Sequence, residues 1–220
     1  MALALEGTPV HNNATSGSSL VTGAFTTTVG TEVFIVATVN PQGATISSIT
    51  GGGLTWAKRT SATSVGNGNI EEWAAKATGA LSGVQFTINF ASSVTFVTSD
   101  LFAFSGEDTS TIWDSNGAVP ANNTSNPVSI STSNANDAII AGARMSSTAS
   151  PTAGTGFTRI SGADFQLTEY EIVSATQSGL SCDTGGSAAS NGMVADALMQ
   201  ASGGASVKPP WPFFRGMQVH

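Results

Sequence analysis

Cysteine is almost absent. Cys182 stands alone among 220 residues, so no intrachain disulfide is available and stability has to come from packing or assembly. A lone cysteine with no histidine near it in sequence reads as a small buried hydrophobe rather than a nucleophile. Histidine is scarce too. His11 and His220 are the only two, and each stands close to a terminus, where holding an imidazole in place is hardest. A Ser-His-Asp or Cys-His relay is therefore left without a positioned base.

Positive charge is equally sparse, with seven Lys and Arg against fourteen Asp and Glu, a net charge of -7 and a pI near 4.5. Binding to a phosphate backbone or to anionic headgroups takes a surplus of Lys and Arg, so neither nucleic acid nor membrane is expected as a partner. Charged residues of both signs make up only 10%, against about a quarter in ordinary soluble domains. No apolar run approaches the roughly 20 residues that a bilayer span requires. The opening Met1-Ala-Leu-Ala-Leu-Glu6 lacks the basic start of a signal peptide.

What remains is a chain of Ser, Thr, Asn and Gly punctuating short β-branched and aromatic runs. Strands are predicted at 19–29, 32–39, 46–49, 54–63, 69–76 and 84–90. Six more follow at 94–105, 128–132, 138–145, 155–161, 167–173 and 193–200. In Val84-Gln-Phe-Thr-Ile-Asn-Phe90 the apolar residues alternate strictly, the mark of one buried and one solvated face. Val33–Ala37 and Ala138–Gly142 are unbroken apolar runs, as expected of central strands covered on both sides. Met193–Gln200 has helical propensity but is read as a closing strand. Many short strands without regular α/β alternation predict an all-β antiparallel β-sandwich, jelly-roll-like, with extended N- and C-terminal arms. The expected divisions are an arm over 1–18, a sandwich over 19–205 and a Pro/aromatic arm over 206–220.

The carboxylates do not pair convincingly. Glu71 and Glu72 are adjacent, so on a strand they face opposite ways and cannot act together on one substrate. Glu169 and Glu171 share a face, read here as a solvated one. Asp108, Asp114 and Asn116 lie in one long loop (107–127) but lack EF-hand spacing, and no His/Cys cluster exists, so no metal and no cofactor is expected. Gly51-Gly-Gly53 has neither the Lys nor the helix of a phosphate loop. Lys58-Arg59 is the sole basic pair and is expected to meet nearby acids.

Ile49-Thr-Gly-Gly-Gly-Leu-Thr-Trp-Ala-Lys-Arg59, followed by Glu71-Glu-Trp-Ala-Ala-Lys-Ala-Thr-Gly-Ala-Leu-Ser-Gly83, resembles a β-sandwich domain found in tailed-phage and prophage virion proteins. Ala103-Phe-Ser-Gly106, Ala153-Gly-Thr-Gly-Phe-Thr158 and Glu169-Tyr170 extend the likeness over residues 18–200. These motifs mark a fold and a phage context, not a chemistry, and Trp56 and Trp73 take core positions in that pattern. The resemblance implies a non-enzymatic structural module, with a capsid decoration or cement subunit as the first reading. It would be made in the host cytoplasm and located in the virion, with the major capsid protein or neighbouring virion subunits as partners and a homo-oligomer on the particle. A tail or fibre-associated protein and a carbohydrate-binding jelly roll are the alternatives. The tail departs from the pattern. Pro210 and Pro212 stiffen it, and Trp211, Phe213 and Phe214 are its expected docking anchors. Trp113, with Asp114 and Asn116 beside it, is the candidate glycan contact.

Overall fold

The computed structural model describes residues 1–28, 30, 32–40, 44–63, 68–146, 151–185 and 190–201, with side chains throughout except at 32–40, 190 and 191. Every regular element among them is a strand. The first eight are β1 (Ala4–Ala14), β2 (Gly17–Val21), β3 (Glu32–Asn40), β4 (Ile46–Thr50), β5 (Ala57–Thr63), β6 (Asn69–Lys76), β7 (Thr87–Val94) and β8 (Phe96–Ser105). They form one sheet of order β1-β8-β3-β6-β5 and a second of order β2-β7-β4.

The remaining strands are β9 (Ala121–Asn123), β10 (Val128–Ile130), β11 (Asp137–Met145), β12 (Thr152–Ala153), β13 (Thr158–Ala163), β14 (Gln166–Ile172), β15 (Leu180–Cys182), β16 (Thr184–Gly185) and β17 (Ser190–Met199). Their five-stranded sheet has the order β13-β14-β11-β17-β9, while β10 pairs with β15 and β12 with β16. Only Asp183 separates β15 from β16, so the two make one interrupted strand. Counted within its own half, each set of strands then has the order 1-8-3-6-5 in its large sheet and 2-7-4 in its small one. The chain thus winds the same jelly-roll-like path twice. Every pairing is antiparallel. The expected all-β antiparallel sandwich holds, but as two sandwiches rather than one over 19–205.

Three apolar cores fill the gaps between layers. Phe25, Ile49, Trp73, Phe86, Ile88, Val97 and Leu101 belong to the interior of the first half. Val128, Ile130, Ile139, Met145, Leu167, Cys182 and Met193 belong to that of the second. The third core joins the two large sheets face to face through Ile70, Phe102, Phe104, Ala138, Ile140, Val194 and Leu198. Alternation along β8 explains this: Val97, Leu101 and Ala103 enter the first interior while Phe102 and Phe104 enter the seam. Strands β8 and β11 are consequently buried along nearly their whole lengths, which accounts for the continuous apolar run at 138–142. Each large side chain fully removed from water in these cores contributes about 1.5–3 kcal/mol.

The expected N-terminal arm is corrected. Residues 4–14 are an edge strand paired with β8, and residues 17 and 18 open β2. A bulge between Glu6 and Val10 lets β1 bend past the 22–28 segment, with Gly7 at φ 69° and a Cβ there lying 2.5 Å from the Thr26 carbonyl oxygen. The expected C-terminal arm, with Pro210, Trp211, Pro212, Phe213 and Phe214, lies outside the described residues.

Candidate functional site

A few charged groups, most of them fully buried, lie at the seam between the two large sheets. Asp100 on β8 and Asp196 on β17 are fully buried there. They occupy matching positions, since Asp100 pairs in register with Val36 of β3 and Asp196 with Ile140 of β11. Each aspartate is met from the opposite half.

Asp100 Oδ2 accepts hydrogen bonds from Gln166 Nε2 at 2.7 Å and Thr168 Oγ1 at 2.5 Å, both on β14. Its Oδ1 lies 2.7 Å from His11 Nδ1, while His11 Nε2 lies 3.1 Å from Asp164 Oδ2 in the β13–β14 turn. The Asp100 hydrogen bond, against the opposing effect of burial, raises the pKa of His11, and Asp164 adds to the rise. Ser161 Oγ stands 3.3 Å from the same Nδ1. A hydrolytic triad needs the serine on one ring nitrogen and the carboxylate on the other. Here both address Nδ1 and a second carboxylate holds Nε2, so the arrangement is an imidazole clasp rather than a relay.

At the matching place Asp196 accepts a forked pair of hydrogen bonds from Arg59, Nε at 2.6 Å and Nη2 at 3.1 Å. The guanidinium carbon lies 3.8 Å over the Trp113 ring, a cation–π contact that also covers the ring's face. Glu72 is fully buried beside them, and no donor among the described residues reaches either of its oxygens. Burial, then the charge of Asp196, pushes its pKa well up. Burial also raises Asp196, opposed by its bonds to Arg59. One guanidinium therefore stands beside two buried carboxyl groups, and Glu72, the member without donors, is the one whose protonated form burial favours more.

Each interior also carries one glutamate at the same register on its sixth strand. Glu71 Oε1 accepts from the Ile46 amide of β4 at 3.1 Å and from Asn69, and Oε2 accepts from Trp73 Nε1 at 2.9 Å and pairs with Lys58 at 3.3 Å. Glu169 Oε2 accepts from the Gly154 amide, next to β12, at 2.8 Å. Both link the large sheet to the fourth strand of the opposite sheet. Glu169 is thus not on a solvated face, as expected from sequence, but buried, and burial pushes its pKa to about 7. Glu71 and Glu72 do face opposite ways, one into an interior and one into the seam. Lys58 and Arg59 do meet acids, though Asp196 is far from local in sequence. Cys182 is buried in the second interior, its thiol pushed above its ordinary range chiefly by burial.

The proposed glycan trio is placed together but occupied. Trp113 forms an isolated bridge with Leu198 and packs against the seam core under Arg59. Asp114 is buried and accepts from the amides of Asn116, Ser133 and Asn134 and from Asn134 Nδ2. Burial alone would raise its pKa, but these bonds outweigh it and hold the carboxylate below its usual range. Asn116 Oδ1 accepts from Ala118. The trio shapes the loop instead of presenting a sugar platform.

Asp100, Asp196 and Asp137 were missed by the sequence reading. For the first two a signal existed: each is a lone charge inside an apolar strand, in Val97-Thr-Ser-Asp-Leu-Phe102 and Val194-Ala-Asp-Ala-Leu198. Among the described residues no group of three or more His, Cys, Asp or Glu is placed to hold a metal, and no helix is long and apolar enough to cross a membrane. Comparison with protein-family models, with curated proteins and with solved structures finds no match.

Proposed function

We propose that this chain is a non-enzymatic structural protein of a tailed-phage virion, a capsid decoration or cement subunit. The observation that carries the reading is the seam. Two like-wound jelly rolls are fused through their large sheets, and Asp100 and Asp196, buried on those sheets, are each bound by side chains of the other half. Such a block suits a part that must keep its shape on a particle, and the sequence resemblance to phage β-sandwich domains supplies the context. Its partners on this reading are the major capsid protein or neighbouring virion subunits, with other copies of itself alongside. The Pro210–Phe214 segment supplies the anchor through Trp211, Phe213 and Phe214, since large aromatic groups dominate interface energies. With Arg59 over one face of its ring and the seam core against it, Trp113 lends no support to a carbohydrate-binding role.

The test is fractionation of purified phage particles into heads and tails, followed by detection of this chain and of a version lacking residues 207–220. The full chain is expected in heads at a fixed stoichiometry, with the shortened one folded but absent from particles. Recovery in tails moves the assignment to a tail or fibre component, and absence from particles altogether overturns it.

A further inference from the structure

Arg144, on β11, is a buried cation without a counter-ion among the described residues. It keeps only 7% of its surface in water, and its Nε is wholly buried with no acceptor. The ion pairs among those residues involve His11, Lys58 and Arg59, and Arg144 enters none of them. Its side chain enters the seam where β11 bulges against β17. There it lies directly on the main chain of Gly68, just before β6, where a Cβ would fall 1.8 Å from Nε. On its own sheet it stands opposite Gln166, whose side-chain amide is committed to Asp100 and Thr98.

No other part of the chain supplies the missing side-chain carboxylate. All fourteen Asp and Glu belong to the described stretches, and the segments outside them contain none. Glu32, the one acid without a described side chain, opens β3 at the end remote from the Val39–Asn69 pairing next to Gly68. A guanidinium does not shed its proton, and a buried charge left unpaired is strongly unfavourable. The charge therefore calls for an anion from solution.

We propose that the Arg144 end of the seam is a binding site for a small free oxyanion of the phosphate or carboxylate class. The guanidinium sets the class, since its planar fork of N–H donors matches paired oxygens, where a halide offers a single point. The opening sets the size. So little of Arg144 reaches water that a free ion can approach it and the surface of a folded partner cannot. The bound ion joins the halves at this end, held by a side chain of the second that rests on the backbone of the first.

Inorganic phosphate and acetate are the probes, added to full-length protein at pH 7 with chloride holding the ionic strength constant. In nitrogen-15 spectra the Arg144 Nε resonance is expected to shift saturably with either oxyanion, while that of the exposed Arg159 does not. The melting temperature is expected to rise along the same saturation curve, on top of the unsaturating rise that excluded salts give any fold. Arg144→Met, which keeps most of the side-chain volume, is expected to lose the saturable part, and Arg159→Met to retain it. Saturation by one oxyanion alone supports the site and narrows its ligand. An Arg144 resonance unmoved by both overturns the proposal, whether or not the variant folds. An undiminished saturable rise in Arg144→Met overturns it as well, since the ion would then sit elsewhere.

Discussion

Asp100 and Asp196 occupy matching positions on the last strands of two like-wound jelly rolls, and each is bound by side chains from the other half. Asp100 takes Gln166 and Thr168 from β14, and Asp196 takes Arg59 from β5, with Glu72 of β6 beside it. The halves therefore meet as the two faces of an isologous contact do, surface to equivalent surface. The chemistry at the two places has diverged. One is a network of neutral donors with a histidine, the other a buried arginine fork.

Arg59 is the member of the fork whose loss costs most. Arg59→Met keeps much of the side-chain volume but leaves Asp196 and Glu72 buried with no cation, and an uncompensated buried charge costs about 3–5 kcal/mol. Chemical denaturation at pH 7 is expected to show a destabilisation of that order. Adding Asp196→Asn to Arg59→Met is expected to recover much of it, because the buried charge leaves with its partner. A double variant as unstable as the single one would mean that Arg59 acts by packing alone.

Buried acids with raised pKa values set the alkaline side of the stability curve. Glu169 and Asp137 titrate at about 7 and about 8 in the folded chain, and near 4 when unfolded. Between those limits the unfolded chain releases protons that the folded chain retains, so stability falls as pH rises from about 4 to about 8 and then levels. Glu169→Gln, whose amide oxygen can still accept from Gly154, removes one of these protons. Its unfolding free energy is expected to decline less steeply than the parent's between pH 5 and 7. An unchanged slope would show that Glu169 ionises normally.

The glycine of Ala103-Phe-Ser-Gly106 has a backbone reason to be there. Gly106 has φ 88°, and a Cβ at that position would collide with the main-chain oxygen of Ala2. Its own carbonyl accepts from Ala201 at 2.8 Å, so the turn after β8 touches both the start and the end of the described chain. Gly106→Ala combines a left-handed conformation that costs about 1–2 kcal/mol with a clash against backbone that cannot rotate away. A loss of more than about 2 kcal/mol in denaturant midpoint analysis is expected. Gly53 also has positive φ, at 68°, but open space around it, so Gly53→Ala is the control and is expected to lose less.

The interiors of the halves were legible because their strands alternate. Phe86, Ile88 and Phe90 lie on one face as their spacing requires, and Met193–Met199 is a strand despite its helical propensity. Strand β1 was not legible. Its residues Thr8 to Asn13 pack partly against polar groups of the seam, His11 and Asn13 among them, so no apolar period marks it. The duplication was hidden for a related reason. Winding is set by where turns and buried faces fall, and the halves share that order while differing in identity, as with Glu71-Glu72-Trp73 against Glu169-Tyr170-Glu171 at one register. Long-range partners such as Arg59 and Asp196, separated by 137 positions, leave no mark in local spacing at all.

His11 makes the seam's edge sensitive to pH. The groups facing it are Asp100 from β8, Ser161 from β13, Asp164 from the following turn and its strand neighbour Asn13, which donates to Asp164 at 2.6 Å. With its pKa raised in the folded state, the imidazolium contributes stability that is fully present below the unfolded value of about 6.5 and lost as pH climbs through the folded one. Above that, one ring nitrogen presents a lone pair to a carboxylate, and the β13–β14 turn loses its charged tie to β1. Nitrogen-15 NMR titration is expected to place the His11 transition above that of an unstructured histidine. Hydrogen exchange at residues 161–166 is expected to quicken across the same pH range, and His11→Gln to flatten that response, the glutamine being uncharged throughout. Exchange in this turn that ignores the His11 transition would show that Gln166 and Thr168 alone hold the edge to Asp100.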